Sequence, residues 1–178
     1  MILSDYDIEN AIRAKRLVVK PFKDDSIREN GLDLRLDDEI AYRNPEFNPE
    51  IFDPTNEEHV KNEYMIRKGG EKLLLPGKTQ VLLSTQESLK LPFDMMGFVE
   101  LRSTWARHGL SVPPTIIDAG FSGTITLEVI NNVPYVMALK PGMKFVRIIF
   151  ASTVSPVTKA YKGAYLNQKG IWLPKVLK

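Results

Sequence analysis

The 178-residue sequence contains no cysteine and only two histidines, His59 and His108. The lack of cysteine excludes disulfide bonds, a thiolate nucleophile and cysteine-ligated zinc. The two histidines stand in unrelated contexts and do not form a metal-binding pattern, so we interpret His108 as a surface residue. Any water activation by this protein must therefore rely on carboxylates and hydrogen bonds, without zinc.

Long apolar runs and a charge imbalance are also missing. No stretch approaches the roughly 18 apolar residues of a membrane span, and the acidic N-terminus lacks the basic start and apolar run of a signal peptide. The 24 basic and 22 acidic residues leave a formal charge of only +2. We therefore expect a cytoplasmic protein that binds neither nucleic acid nor a membrane surface, although a small anionic ligand fits.

Length and composition indicate a single domain over residues 1–178, because 43% hydrophobic and 26% charged residues are the balance of one globular unit. Ser4 begins a capping pattern followed by apolar residues at helical spacing, which predicts a helix over residues 4–16. From Lys72 onward, apolar β-prone runs alternate with turn residues. This rhythm is typical of an antiparallel sandwich or barrel.

Two segments lack such a pattern. Residues 44–62 are polar and rich in proline, which predicts a loop. Residues 159–178 form a tail that we predict to be mobile or docked on a partner.

The segment GTITLEVI predicts a strand with two unlike faces. Leu127 and Val129 lie on its apolar face, whereas Thr126 and Glu128 lie on the other. Glutamate is uncommon in strands. Glu128 therefore either pairs with a cation for structural reasons or has a raised pKa that suits proton transfer, and the strand alone leaves both interpretations open.

Two further segments carry polar groups that could bind a ligand. RSTWARHGL predicts a single helical turn whose backbone N–H groups, hydroxyls and two guanidinium groups could bind phosphate, or else a capped surface turn with solvated arginines. IDAGFSG places Asp118 before a Gly-containing turn and Phe121 after it. This pair suits a sugar hydroxyl and ring, although an Asx-type turn beside a core phenylalanine is an equal alternative.

The order LRSTWARHGL, IDAGFSG and TLEV within residues 101–129 resembles the motifs of the dCTP deaminase and dUTPase family. In that family the pattern reads R-S-S/T-x-A-R-x-G-L, then I-D-x-G-[FW], then L-E in a strand. MILSDYDI and ENGLDLRL also match archaeal-type members in kind and place.

The resemblance implies a mainly β fold: a distorted jelly-roll or β-barrel of the dUTPase-like (β-clip) type, with one N-terminal helix and few short helical turns. It also implies a homotrimer whose active sites are each shared between subunits. The implied reaction is hydrolytic deamination of dCTP to dUTP and ammonia without zinc, which feeds dUMP and dTTP synthesis. Mg²⁺ would be bound through the triphosphate, with no metal ligand from protein side chains.

The same resemblance assigns roles to residues. Glu128 would be the general base and acid, Ser103 would position the attacking water, and Arg107 would stabilise the charge around Glu128. Asp118 would bind the 3′-hydroxyl and Phe121 would face the sugar. The implied substrate-binding residues are Arg102, Ser103, Thr104, Trp105, Ala106, Arg107, Asp118, Phe121, Thr126, Leu127, Glu128, Arg147, Tyr161 and Gln168.

Two positions depart from the family pattern. In the tail, Tyr161 and Gln168 fit, but Ala164 stands where a lysine is usual, and whether Lys162 or Lys169 compensates stays open. Arg147 stands where many members have glutamine.

Three other functions stay in view. A bifunctional enzyme would also cleave dUTP to dUMP and pyrophosphate, with Asp118 as a base for the attacking water. A plain dUTPase would not need Glu128. A non-enzymatic nucleotide-binding trimer would have kept the fold without turnover.

Overall fold

The computed structural model describes residues 1–159 and 161–177 as a mainly β fold. Ala160 and Lys178, both within the predicted tail, lie outside the described residues. The elements are α1 (Asp5–Arg13), β1 (Val18–Lys20), a 3-10 turn (Asp24–Ser26), β2 (Ile27–Arg28), β3 (Gly31–Arg43), α2 (Glu57–Asn62), β4 (Tyr64–Lys68), β5 (Leu73–Leu75), β6 (Gln80–Thr85), β7 (Ser88–Lys90), β8 (Met95–Leu101), α3 (Ser103–Arg107), β9 (Leu110–Ser111), β10 (Thr115–Ile117), β11 (Ser122–Gly123), β12 (Thr126–Asn131), β13 (Met137–Leu139) and β14 (Lys144–Ser152).

The N-terminal helix α1 forms as predicted, with a shorter C-terminal end. Ser4 caps it: the Ser4 hydroxyl accepts a hydrogen bond from the Asp7 backbone N–H at 3.3 Å, and the Asp7 carboxylate accepts one from the Ser4 backbone N–H at 3.0 Å. The helix ends before residue 16 because the backbone at Lys15 turns to a φ of 56°.

The long strand β3 organises the main sheet, which has the order β10-β8-β14-β3-β6-β12-β9. The first half of β3 pairs with β14, opposing Asp33 to Arg147, and its second half pairs with β6, opposing Ile40 to Leu83. The β3–β6 register shifts between Leu36 and Ile40. Such irregularities bend a strand, and the sheet curls here around the core.

Two small sheets, β1-β7-β11 and β13-β5, complete the fold. The predicted fold class, mainly β with one N-terminal helix and few short helical turns, is confirmed, and the main sheet is curled.

Side chains from the main sheet, from the two small sheets and from α1 form one core. Its largest fully buried members are Phe145, Phe150, Ile8, Leu17, Leu32, Leu34, Leu36, Ile40, Leu73, Leu75, Leu83 and Leu89. In β12 buried and half-buried residues alternate strictly, so Leu127 and Val129 enter this core while Thr126 and Glu128 face outward. This alternation confirms the two-faced strand predicted for GTITLEVI.

The prediction that residues 44–62 form a loop is wrong for the last six residues, which form the helix α2. Asn56 caps this helix by accepting hydrogen bonds from the backbone N–H groups of Glu58 and His59. Val60 is its only buried side chain. One buried residue gives no periodic pattern, which explains why the sequence did not predict the helix.

The tail packs on the outer face of the sheet. Ile171 joins Ala41, Tyr64 and Leu82 in a second small apolar cluster. In β11, Gly123 forms a parallel bridge with Gln168 of the tail. Only glycine fits at position 123, because a Cβ there would meet the Gln168 nitrogen at 2.8 Å and φ is +144°. The tail is thus docked on its own chain here, and its mobility stays a prediction.

The C-terminal end of β12 is anchored by Asn131, whose side chain is fully buried. Its amide nitrogen donates to the carbonyl oxygens of Leu75 at 3.0 Å, Pro76 at 3.2 Å and Tyr135 at 3.0 Å. One side chain therefore ties the β5–β6 turn and the β12–β13 connection to β12.

Asn131→Ala is expected to lower the free energy of unfolding by about 2–4 kcal/mol, because it leaves several buried carbonyls without a donor. Urea denaturation followed by circular dichroism measures this loss. The matched control, Asn10→Ala on the exposed side of α1, should change stability by less than about 0.5 kcal/mol. Equal effects of the two variants would contradict the anchoring role.

Candidate active site

A cleft of about 310 Å³ opens on the outer face of β12, beneath the docked tail. Aromatic and apolar side chains form most of its wall, and a few polar groups converge on it. The lining residues are Tyr64, Gln80, Leu82, Val99, Thr115, Ile116, Ile117, Asp118, Phe121, Ile125, Thr126, Glu128, Tyr161, Tyr165, Gln168, Trp172 and Pro174. Such a cavity, apolar with a few polar groups, is typical of a small-molecule site.

Glu128 is the most unusual of these groups. It stands opposite Leu82 of β6 and beside Thr126 on its own strand. Burial raises the pKa of its carboxyl above the ordinary value. No Lys, Arg or His of the described chain forms an ion pair with it. The structural ion pair is therefore not formed within the described chain, and the role of Glu128 in proton transfer stays a prediction.

The turn between β10 and β11 carries Asp118 and Phe121 into the same cleft. The Phe121 backbone N–H donates to the Asp118 carbonyl at 3.1 Å, which closes the turn, and Gly120 adopts a φ of +82° within it. The Asp118 residue is exposed, whereas Phe121 is 93% buried, having a relative exposure of 7%. The turn thus places an exposed carboxylate and a buried aromatic ring in the lining of the same cleft.

The tail supplies the opposite wall. Tyr161 packs against Phe121 with ring centroids 5.7 Å apart, and its backbone N–H donates to the Ala119 carbonyl at 3.3 Å. The Gln168 amide nitrogen donates to the Thr124 carbonyl, and the Thr124 backbone N–H donates to the Gln168 carbonyl at 3.0 Å. Within one chain, Gln168 is therefore buried as an anchor of the tail.

The structure thus brings together six of the implied site residues, namely Asp118, Phe121, Thr126, Glu128, Tyr161 and Gln168. The other eight do not line this cleft. Among them, Leu127 directs its side chain into the core, so only its backbone is available to a ligand.

The helix α3 lies outside the cleft and carries most of the remaining residues. It forms the single helical turn predicted for RSTWARHGL. Its Trp105 indole donates to the Lys144 carbonyl at 3.0 Å and packs on Phe145, which fixes the helix to the start of β14. The outward side of α3 consists of exposed residues: Ser103, Thr104, Ala106 and Arg107.

Arg102 and Arg147 turn toward a buried carboxylate instead. The Asp33 side chain is only 1% exposed. Its Oδ1 accepts a hydrogen bond from the Arg147 Nε at 2.9 Å, and its Oδ2 lies 3.5 Å from the Arg102 Nε. The Arg102 Nη1 also donates to the Lys144 carbonyl at 3.2 Å. In the isolated chain the Arg102 guanidinium is thus partly engaged by protein groups.

Eleven lining residues were missed from the sequence, and the aromatic and amide-bearing ones among them are Tyr64, Gln80, Tyr165 and Trp172. Tyr64 and Gln80 stand in strands without a motif, and only the pairing of β4, β3, β6 and β12 brings them beside Glu128. Tyr165 and Trp172 were visible as tail aromatics, but nothing in the sequence indicated where the tail would dock.

The histidines play no part in the cleft. The His59 Nδ1 accepts a hydrogen bond from the Asp53 backbone N–H at 3.0 Å, and His108 ends α3. Within residues 1–159 and 161–177, no group of three or more His, Asp or Glu side chains is arranged to hold a metal ion. In the same part of the chain, no helix has the length and apolar character that crossing a membrane requires.

Comparison with known proteins gives this arrangement a family. Residues 2–153 match the family model described as dCTP deaminase-like. The chain belongs to the dCTP deaminase-like family. The resemblance of the three motifs within residues 101–129 is thereby confirmed at the level of the family.

Relatives within the dCTP deaminase-like family match nearly the whole chain. A dCTP deaminase of Caldivirga maquilingensis is 42% identical over 100% of this chain and 98% of its own length. A dCTP deaminase of Acidianus ambivalens is 44% identical over 98% of each chain. A probable deoxyuridine 5′-triphosphate nucleotidohydrolase of Sulfolobus islandicus rod-shaped virus 1 is 42% identical over 98% of this chain and 99% of its own.

Solved structures share the fold of the dCTP deaminase-like chain. The dCTP deaminase of Agrobacterium tumefaciens has a TM-score of 0.66 at 21% identity, matching 84% of this chain and 46% of that one. EIAV dUTPase has a TM-score of 0.51 at 18% identity over 83% of this chain and 98% of its own. A dUTPase of phage phi11 of S. aureus, described with a structural Mg(II) ion, has a TM-score of 0.51 at 13% identity, covering 84% and 99%.

The raised pKa of Glu128 makes the stability of the protein depend on pH. Burial favours the protonated Glu128 carboxyl in the folded state. The contribution of Glu128 to the free energy of unfolding is therefore fully present below the ordinary pKa of 4.5, and it is lost as pH rises through the raised pKa of the folded state. Glu128→Gln is always neutral. It should be more stable than the wild type at about pH 8, and this advantage should shrink toward about pH 4.

Unfolding free energies of both proteins across this pH range test the expectation. Glu71→Gln, which neutralises an exposed carboxylate in the β4–β5 turn, is the matched control and should show no such trend. A Glu128→Gln protein that is less stable than the wild type at about pH 8 would mean that the ionised Glu128 is stabilised by a partner.

Proposed function

We propose that this protein hydrolytically deaminates dCTP to dUTP and ammonia. The observation that carries the proposal is Glu128: a half-buried carboxyl with a raised pKa and no cationic partner in the described chain, set in the wall of an aromatic cleft. A carboxyl with a pKa closer to neutrality both accepts and returns a proton efficiently. Full-length relatives named dCTP deaminase support the same reaction.

In this reaction water adds to C4 of the cytosine ring. Glu128 takes a proton from that water as its oxygen bonds to C4 and delivers it to N3 of the ring. It then takes the second proton from the hydroxyl on C4 and delivers it to the departing amino group. The C4–N bond breaks, ammonia leaves, and the carbonyl of uracil forms. Protons and electrons balance because Glu128 ends in the state in which it began.

The remaining cleft groups hold the nucleoside. Asp118 accepts a hydrogen bond from the 3′-hydroxyl, and Phe121 packs against the deoxyribose, because one short turn brings both residues into the lining of the cleft. Tyr161 packs on Phe121 and stiffens that wall. The six-residue group is thereby suited to a pyrimidine deoxynucleoside, but it offers no cation for the triphosphate.

We propose that a neighbouring subunit of a homotrimer supplies those cations through α3. Its Ser103 hydroxyl and Arg107 guanidinium are exposed, while Trp105 fixes the helix to β14, as expected for groups that serve a site on another chain. Ser103 positions the attacking water and Arg107 stabilises the developing charge. Arg102 and the other α3 residues bind the triphosphate, with Arg147 nearby. Mg²⁺ arrives as part of the substrate, bound to phosphate oxygens.

A second candidate is a bifunctional enzyme that also cleaves dUTP to dUMP and pyrophosphate. The exposed Asp118 carboxylate in the same cleft favours it, as does the viral relative named as a dUTP nucleotidohydrolase. Either reaction uses deoxynucleoside triphosphates, the cell's DNA precursors, so we also propose a cytoplasmic location.

The reaction is tested by incubating chelator-treated protein with dCTP and added Mg²⁺ and resolving all products. We expect dUTP and ammonia without pyrophosphate; dUMP with pyrophosphate would establish the bifunctional enzyme. Glu128→Gln should lose at least about 100-fold in deamination rate while still binding dCTP. No product from the wild type would overturn the deaminase and favour a nucleotide-binding protein, and turnover by Glu128→Gln would overturn the mechanism.

Subunit sharing is tested by mixing two inactive variants. When Glu128→Gln and Arg107→Met chains are co-expressed with different tags and purified as mixed trimers, about a third of wild-type activity should return, because one of the three sites in each mixed trimer combines two intact halves. Mixed oligomers of Glu128→Gln and Glu128→Ala, the matched control, should stay inactive. Failure of the first mixture to recover activity would place Glu128 and Arg107 in the same chain's site.

A further inference from the structure

The cleft is short of positive charge. Its lining includes the carboxylates Asp118 and Glu128, and no lysine or arginine of the described chain lines it. A nucleoside triphosphate brings several negative charges, which two carboxylates repel. Cations at the rim therefore decide whether the phosphates can be accommodated.

One lysine of the tail is held at this rim. The Lys175 ammonium donates to the Ala164 carbonyl at 2.7 Å. It also lies 4.9 Å from the centroid of the Trp172 ring and 5.9 Å from that of Tyr165. Trp172 and Tyr165 both line the cleft, and Lys175 directly follows Pro174, which lines it too. The ammonium is thus fixed by cation–π contacts on the two rings that border the cavity.

The position of Lys175 depends on contacts that reach the core of the site. The Trp172 backbone N–H donates to the Thr126 hydroxyl at 3.1 Å, and Thr126 stands two residues before Glu128 in β12. The Ile171 side chain is buried on the outer sheet face. These contacts fix Trp172, and with it the ammonium, relative to Glu128.

The ammonium retains binding capacity. It has three N–H donors, and the Ala164 carbonyl takes one. Within residues 1–159 and 161–177, no carboxylate lies within ion-pair distance of Lys175. A fixed ammonium with free donors and no anionic partner suits a phosphate oxygen.

Resting on the function proposed above, we propose that Lys175 binds the triphosphate of the substrate and is a determinant of specificity for triphosphate over monophosphate. The Ala164 side chain carries no ammonium. Its backbone carbonyl instead accepts a hydrogen bond from the Lys175 ammonium, which lies at this position in its place. Lys162 and Lys169 are exposed, as is Lys175 itself, but in the described chain it is Lys175 that contacts Ala164, Tyr165 and Trp172.

The test measures binding of dCTP and of dCMP, each with Mg²⁺, by calorimetry in a Glu128→Gln background in which no turnover is expected. Lys175→Met is expected to weaken dCTP binding about tenfold and dCMP binding by less than about twofold, because only the longer phosphate chain reaches the ammonium. Lys175→Arg keeps the charge and the cation–π contacts and should bind dCTP within about threefold of the parent.

Lys169→Met is the matched control, since it removes an exposed tail lysine, and it should leave both dissociation constants unchanged. Three outcomes would overturn the proposal: no effect of Lys175→Met, an equal loss for dCTP and dCMP, which means a purely structural contact, or the same split from Lys169→Met. The dCTP product assay on the wild type is separate, so a failure of the deaminase function and a failure of the Lys175 contact are distinguished.

Discussion

The alternation of side chains along β12 is the constraint on which the site depends. Leu127 and Val129 are sealed in the core, while Glu128, between them, faces the cleft. A shift of one residue would exchange these faces and bury the carboxylate in the core. Pairing with β6 and β9 on either side and the buried Asn131 amide at its end hold the strand in this register. The position of Glu128 is therefore as well determined as the core itself.

The same strand explains the chemistry of the carboxyl. Its neighbours on the outer face are uncharged, and the tail covers them, so water has limited access to Glu128. Burial without a cation raises the pKa of Glu128 and costs stability at neutral pH. A carboxyl that is poor for stability but suited to proton transfer is typical of an active site.

The helix α3 and the tail contain few or no buried residues, so both depend on contacts with the main sheet for their position. The helix α3 has no buried residue and is fixed by Trp105 and Arg102 to the backbone of Lys144. The tail has few buried residues and is held through Gly123 and Thr126. Both present polar groups, α3 on its exposed side and the tail toward the cleft. The shared site that we propose requires both elements.

The sequence by itself determined the family, the strand that carries Glu128, the turn that carries Asp118 and Phe121, and the α3 turn. Each of these is a local pattern, in which strand period, turn residues or capping fix the geometry within about ten residues. The short helix α2 escaped detection because a single buried side chain, Val60, produces no period.

Only the tertiary structure decided what surrounds Glu128. Tyr64 and Gln80 reach it through strand pairing, and Trp172 reaches it through docking of the tail, contacts that join residues far apart in the chain. The ammonium of Lys175 over Ala164 has the same origin. These contacts depend on strand register and on side-chain packing throughout the core. A local sequence pattern therefore does not encode them.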